Sequence, residues 1–189
     1  MSESSSISVQ PLASEPKIGN EDLRAIEKLT ADLASEAVLV STNKNTLRLY
    51  LSQPQSIAFV LPIFANLGIT VQSQAAFKLT QGGQEITLFE LQIQEADFSD
   101  SSAELSRVEG ALNAVLTQKA DDDALNQLVT ALGFSWRTVV VLRAYLRYLA
   151  QLGVKPSTRT AAGYFLANPE ITSSLIEYFE TGFDPSLDL

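Results

Sequence analysis

The sequence predicts an α+β protein: a four-stranded antiparallel sheet with two helices, in the order α-β-β-α-β-β, followed by an all-α helical subdomain. Three observations carry this. Between Glu36 and Gln94 apolar residues recur with a period of two, the pattern of half-buried strands. From Ser101 onward apolar residues recur at three- and four-residue spacing, the pattern of amphipathic helices. Between these regimes lies the polar stretch Glu95–Ser102, which sets the expected division into residues 19–96 and 101–189. Residues 1–18 are Ser/Glu-rich, with neither a basic leader nor an apolar run, and are expected to be a disordered tail.

The first helix is expected over about Asn20–Ala34, capped by Asn20 and with Leu23, Ile26, Leu29 and Leu33 on one face. A Val- and Leu-rich strand, Glu36–Ser41, follows, and Asn43-Lys44-Asn45 is the turn into a second strand alternating Leu47, Leu49 and Leu51 with Arg48 and Tyr50. The second helix is read as Ser56–Leu67, stopped by Gly68; Pro62 inside it predicts a bend or an irregular first turn. In the third strand Ile69, Val71, Ala75, Phe77 and Leu79 share one phase, and Gln81-Gly82-Gly83-Gln84 is a hairpin turn. The fourth, Glu85–Gln94, alternates Phe89, Leu91 and Ile93 with polar residues. Ile86 and Leu88 are out of phase with that set, which suggests a bulge.

A ferredoxin-like domain has the order β-α-β-β-α-β, and moving its last α-β to the front produces the order here. The first and last strands of that fold are antiparallel neighbours, so the short Asn43–Asn45 hairpin can join them. The expected strand order is therefore first-second-fourth-third, with both helices on one face.

In the helical part, Ser101-x-x-Glu104 is a capping box opening a helix with Leu105, Val108, Leu112, Val115 and Leu116 on one face. Asp121–Asp123 begin a short helix carrying Leu125, Leu128, Val129 and Leu132, closed by Gly133. The central helix, Ser135–Gly153, has two apolar stripes: Val139, Leu142, Leu146 and Leu149, and Val141, Tyr145, Tyr148 and Leu152. A helix apolar on two sides is expected to be enclosed by its neighbours, with Trp136 and the tyrosines in the core. A helix over about Thr158–Ala167 follows. Asn168-Pro169 then opens a last one, expected to bury Ile171, Leu175 and Phe179 and to end at Gly182–Pro185.

Composition excludes much chemistry. With no histidine and no cysteine, these 189 residues can build no Ser-His-Asp or Cys-His nucleophile, thiolate site or histidine-containing metal site. The net charge of −9 argues against nucleic acid and against an anionic membrane surface as partners. No apolar run approaches the roughly 18 residues of a membrane span, and cysteine-free composition fits a cytoplasmic location. No catalytic, cofactor-binding or metal-binding residue is therefore assigned. Asp121, Asp122 and Asp123 read as helix-start charge, because three consecutive acids diverge and no distal ligand is evident. Gly82-Gly83 joins two strands and lacks the spacing of a nucleotide loop. Two weaker candidates stay open. The loop leading into the second helix, with Ser52, Gln53, Gln55 and Ser56, could hold a small anionic ligand on backbone N–H groups. Arg143 and Arg147, one turn apart, could bind an anion or form an interface; their bland alternative is pairing with acids of neighbouring helices.

The run Leu47-Arg-Leu-Tyr-Leu51 with Ala58–Val71, then Asn126–Arg137 and Leu142–Leu149, and finally Asn168–Ile171 with Tyr178–Pro185, resembles the large bacterial NAD-specific glutamate dehydrogenases. These blocks keep order and spacing from about Glu21 to Pro185. The sequence departs from that family where its fourth strand has a His-Asp pair, here within Phe89–Ile93, and where its last motif has an arginine, here Gly182. The resemblance implies a non-catalytic segment, ACT-like plus helical, that precedes the glutamate- and NAD-binding domains. NAD would belong to the parent enzyme, and the remaining domains of that enzyme would be the partners. A homo-oligomer and an amino-acid effector are further expectations. The alternative is a free-standing ACT-like module that senses amino acids or mediates protein interaction.

Overall fold

The computed structural model describes residues 8–10, 16–31, 36–94, 98 and 101–183. Its strands are β1 (Ser8–Gln10), β2 (Ala37–Asn43), β3 (Thr46–Leu51), β4 (Val71–Gln81) and β5 (Gln84–Ile93). Its helices are α1 (Asn20–Ala31), α2 (Ile57–Asn66), α3 (Ser102–Leu116), α4 (Gln127–Ala131), α5 (Trp136–Gln151), α6 (Thr158–Ala167) and α7 (Pro169–Phe183). The sheet is antiparallel throughout, in the order β1-β4-β5-β3-β2. The expected order of the four long strands is present. The short β1, within the stretch read as a tail, pairs with Lys78–Thr80 and adds a fifth. Residues 1–7 and 11–15 of that tail, Leu33, the end of the last helix after Phe183, and most of the Glu95–Ser102 boundary lie outside the described residues.

Local chemistry sets the turns. Gly82 and Gly83 both have positive φ (59° and 83°), as a two-residue type I′ hairpin requires, and Gln81 pairs with Gln84 across it. Ser56 caps α2 by accepting from the Ala58 N–H. The helix runs unbroken through Pro62, and the expected irregularity sits in its first turn, where Phe59 N–H donates to Ser56 O.

The helices do not share one face of the sheet, which corrects the ferredoxin-like expectation. α1 packs Ala25, Ile26 and Leu29 against Val38, Val40, Tyr50, Phe77, Leu79, Ile86 and Leu88. On the other face Leu39, Leu47, Leu49, Leu51, Phe89, Leu91 and Ile93 join one core with α2 (Val60, Ile63, Phe64) and the C-terminal helices. The reason is topological. α2 links the parallel strands β3 and β4, so crossover handedness decides its side. α1 stands between the edge strands β1 and β2, and one face of the sheet is already occupied by α2 and the C-terminal helices. It takes the vacant one.

The same fact corrects the bulge. β5 pairs with β4 in unbroken register from Gln92 to Gln84, so Ile86 and Leu88 are simply inward-facing on the α1 side. A strand covered on both faces is apolar in both phases. The register shifts instead between Val71 and Ser73, which moves Val71 to the face opposite Phe77 and Leu79.

α3 lies along the outer edge of β2 and supplies what a neighbouring strand would. Leu39 N–H donates to Glu109 Oε2 (2.9 Å), and the Glu36 and Ala37 N–H groups donate to Asn113 Oδ1 (3.0 Å each). Asn113 Nδ2 donates back to Ala37 O (2.7 Å). An edge strand's unpaired backbone groups are a template for unwanted pairing, and here side chains of a helix fill them. Ser101 caps α3 by accepting from Glu104 N–H, as the capping box predicts.

Candidate functional site

The sequence-singled loop Ser52–Ser56 is a structural joint. Ser52 N–H donates to Glu36 O (3.0 Å), and Ser56 is spent as the α2 cap. The Ala58 and Phe59 N–H groups of the first turn are therefore engaged internally. Gln53 is exposed and Gln55 half-buried.

Arg143 and Arg147 meet the acids before α4. Arg143 is buried, and donates through Nε to Asp123 Oδ2 (3.0 Å) and through Nη2 to Asp123 Oδ1 (2.9 Å) and Asn126 Oδ1 (3.1 Å). Arg147 Nη2 donates to Asp121 Oδ2 (2.6 Å) at the surface. Asp123 also caps the 3-10 turn Ala124–Asn126 that leads into α4, accepting from Leu125 N–H, and Asp122 accepts from Asn66 Nδ2. Asp121 and Asp123 thus pair with the two arginines and tie α5 to the start of α4, and Asp122 ties the same turn to α2. Among the described residues no group of acids is arranged to hold a metal ion.

A second charged cluster was not singled out in the sequence. Arg48 donates to Asp22 Oδ2 (2.7 Å), to Glu90 Oε2 through Nε (2.9 Å) and Nη2 (2.7 Å), and to Lys17 O (2.9 Å). Tyr50 OH donates to Asp22 Oδ1 (2.7 Å), and Gly19 N–H to Asp22 Oδ2 (2.7 Å). Asp22, Arg48 and Tyr50 are all buried. Burial works against the Arg48 charge, but the Glu90 hydrogen bond and the two carboxylates outweigh it and raise its pKa. Burial first, then the Asp22 hydrogen bond and charge, push the Tyr50 phenol well above the ordinary tyrosine range. The shallow cleft beside this cluster, about 390 Å³, is lined by Lys17, the Gly19–Asp22 turn, Val40, Thr42 and Arg48. The available signal was the placement of Arg48 and Glu90 at interior strand positions on the face shared with Tyr50.

The largest departure concerns α5. Only Val139, Leu142 and Arg143 are buried on it. Its second apolar stripe is not enclosed: Tyr148 is 58% exposed, and Leu152 is exposed too. Val140, Val141, Ala144, Tyr145 and Tyr148 form one wall of an open apolar groove of about 360 Å³, with Phe179 and Phe183 of α7 as the other. Tyr145 and Phe179 meet edge to face, with centroids 5.9 Å apart. α7 is likewise rotated from expectation. It buries Thr172 and Ile176, holds Leu175 and Phe179 half-buried, and leaves Ile171 exposed. α6 packs mainly on the Ala124–Asn126 turn, α4 and α7, and leaves that stripe of α5 open.

Residues 120–185 match the family model described as glutamate dehydrogenase, helical motif 3. The chain is 31% identical over 133 residues, 69% of its length, to the NAD-specific glutamate dehydrogenase of Pseudomonas aeruginosa. It is 29% identical over 137 residues to that of Halomonas elongata, and 27% identical over 138 residues to that of Mycobacterium tuberculosis. In each case the matched part is 70% or 69% of this chain and 8% of the relative. The resemblance read from the sequence is thus to a short segment of a much longer protein, with the helical motif at α4–α7 as its most specific part.

Proposed function

We propose that this chain is a non-catalytic, structural segment of an NAD-dependent glutamate dehydrogenase, an enzyme that converts glutamate and NAD to 2-oxoglutarate, ammonia and NADH in the cytoplasm. The observation that carries the proposal is the match of one segment to 8% of NAD-specific relatives. The site chemistry supports it. Buried Asp22, Arg48 and Arg143 are each committed to an internal pair, and none of these pairs opens onto an enclosed cavity. The remaining domains of the dehydrogenase are the partners, and they supply the NAD site. Neither the ACT-like comparison nor a regulatory role finds equal support. α1 packs on the opposite sheet face from α2, and the Ser52–Ser56 loop spends its hydroxyl and two first-turn donors on capping.

The isolated chain, given glutamate and NAD, is expected to form no NADH; sustained NADH production surviving purification controls would overturn the segment reading. An amino-acid-sensing module is separated by thermal shift. Saturable stabilisation by an amino acid, removed by Ser52→Ala with Gln55→Ala, would replace the structural reading with the sensing one.

A further inference from the structure

The two sides of the sheet end differently. The N–H groups of β2 are met by Glu109 and Asn113 of α3, whereas the outer side of β4 is paired with β1 only over Lys78–Thr80. Register shows which groups stay open. Ile93 N–H donates to Asn45 O, so Ile93 and every second residue of β5 before it bond to β3. Gln92, Glu90 and Leu88 then bond to β4, where they face Ser73, Ala75 and Phe77. The N–H and C=O groups of the alternate β4 residues point out of the sheet. At Lys78 and Thr80 they face Gln10 and Ser8 of β1. At Gln74 and Ala76 they have no partner among the described residues. By Lys17, whose carbonyl accepts from Arg48 of β3, the chain has crossed to the α1 face and left this side of β4.

Open backbone groups at the two-residue repeat of a strand, about 7 Å apart, are matched by the backbone of another extended chain. Nor is the stretch guarded by charge or proline. Val71–Phe77 reads Val-Gln-Ser-Gln-Ala-Ala-Phe, and Gln72, Ser73 and Gln74 are exposed. A cleft of about 450 Å³ at the head of β4 is bordered by Leu61, Ala65, Val71 and Gln127. Val71 and Ala76 pack against the same core, on the α2 face, so a strand added along Ala76 and Gln74 carries its alternate side chains toward that cleft. We propose that this edge takes an extended, non-acidic segment of a partner polypeptide as an added strand, with one of its apolar side chains in the cleft. β1 shows that the same side of β4 accepts a strand. The net charge of −9 works against acidic segments and favours basic ones.

Amide hydrogen exchange of the full chain, read by NMR, tests this with the blocked peptide acetyl-Thr-Val-Lys-Val-Thr-Val-Lys-amide as probe. With peptide in excess, exchange at Gln74 and Ala76 should slow about tenfold or more, while Ala75, already bonded to β5, stays unchanged. Methylating the peptide's Val nitrogens, which face β4 when the Val side chains lie on the α2 face, should abolish binding. Methylating its internal Lys and Thr nitrogens should not. Gln74→Pro removes one outward N–H and none that bonds to β5, so it should lose the protection at Ala76 with an unchanged circular dichroism spectrum. Ala65→Trp, which fills the cleft without touching the ladder, should weaken the protection too. A probe that leaves both amides unchanged, or that binds equally well with its Val nitrogens methylated, overturns the proposal. So does protection of Gln74 and Ala76 without peptide. Its loss on removing residues 1–15 would assign the edge to the chain's own tail, and its growth with chain concentration would assign it to a second copy. None of these outcomes depends on whether the chain serves a dehydrogenase.

Discussion

Arg48 carries a full charge into a largely apolar sheet face, and the arrangement around it explains how that is tolerated. Two carboxylates and one backbone carbonyl accept from its guanidinium, and Asp22 in turn accepts from Tyr50 and Gly19. Removing one partner of such a pair strands the other. Arg48→Ala is expected to cost about 3–5 kcal/mol in urea unfolding, far more than Arg147→Ala, whose surface pair is worth about 0–1 kcal/mol. Tyr50 adds a pH dependence. Its folded-state value is raised above the ordinary tyrosine value near 10, so its contribution is complete below that pH and is lost as pH rises toward the folded value. The melting temperature should therefore fall as pH is raised past about 10, and Tyr50→Phe should flatten that fall while lowering stability at neutral pH by about 2 kcal/mol. A melting curve of the Phe variant with the same alkaline slope as the parent would refute the assignment. At this scale the sequence was legible where a residue's role is local, as at Ser101, whose hydroxyl caps α3 as read. It was silent on the Asp22–Arg48–Tyr50 cluster, because the partners stand 26 and 28 residues apart and only the packing of α1 brings them together.

Elements were legible wherever one periodicity ruled, and misread wherever two did. β3 and α6 stand close to where their patterns put them. In β5, apolar residues in both phases were attributed to a bulge when they report cover on both faces. In α5, two apolar stripes were taken as enclosure when only one is covered. The two cases have the same cause: a second apolar phase says that a partner is wanted and does not say whether it is in the chain. The β2 edge shows an element whose needs are met from within. Asn113→Ala should strand the Glu36 and Ala37 N–H groups and the Ala37 carbonyl, at about 1–3 kcal/mol, with hydrogen exchange at Ala37 rising more than at Leu49 in the interior strand. Uniform exchange across β2 and β3 in this variant would mean that α3 does not seal that edge. Gly68 is a second such joint: its φ is +79°, and a Cβ there would stand 2.9 Å from Gln127 Cγ. Gly68→Ala is expected to lower stability by about 1–3 kcal/mol.

At the scale of the molecule, the sheet and the helical half share a core running from Leu49 and Phe89 to Leu128, Val139 and Ile176, and α1 closes a second core on the other face of the sheet. Thr130 Oγ1 donating to Leu67 O (2.6 Å) and Asn66 Nδ2 donating to Asp122 (2.9 Å) pin α2 to that half. The α+β order and the strand order could be read from the sequence because hairpins and crossovers are local and obey handedness. The side on which α1 packs could not, since β1, the strand before it, was read as part of the tail. No described helix is long and apolar enough to cross a membrane, and the proposed role is that of a structural segment. The most direct test of that reading is a replacement. The aligned segment of the Pseudomonas aeruginosa NAD-specific glutamate dehydrogenase is exchanged for this chain's matching 133 residues, and glutamate-dependent NADH formation is measured. A structural segment predicts a soluble chimera that keeps turnover, while deletion of the segment abolishes it; full turnover by the deletion protein would contradict the account.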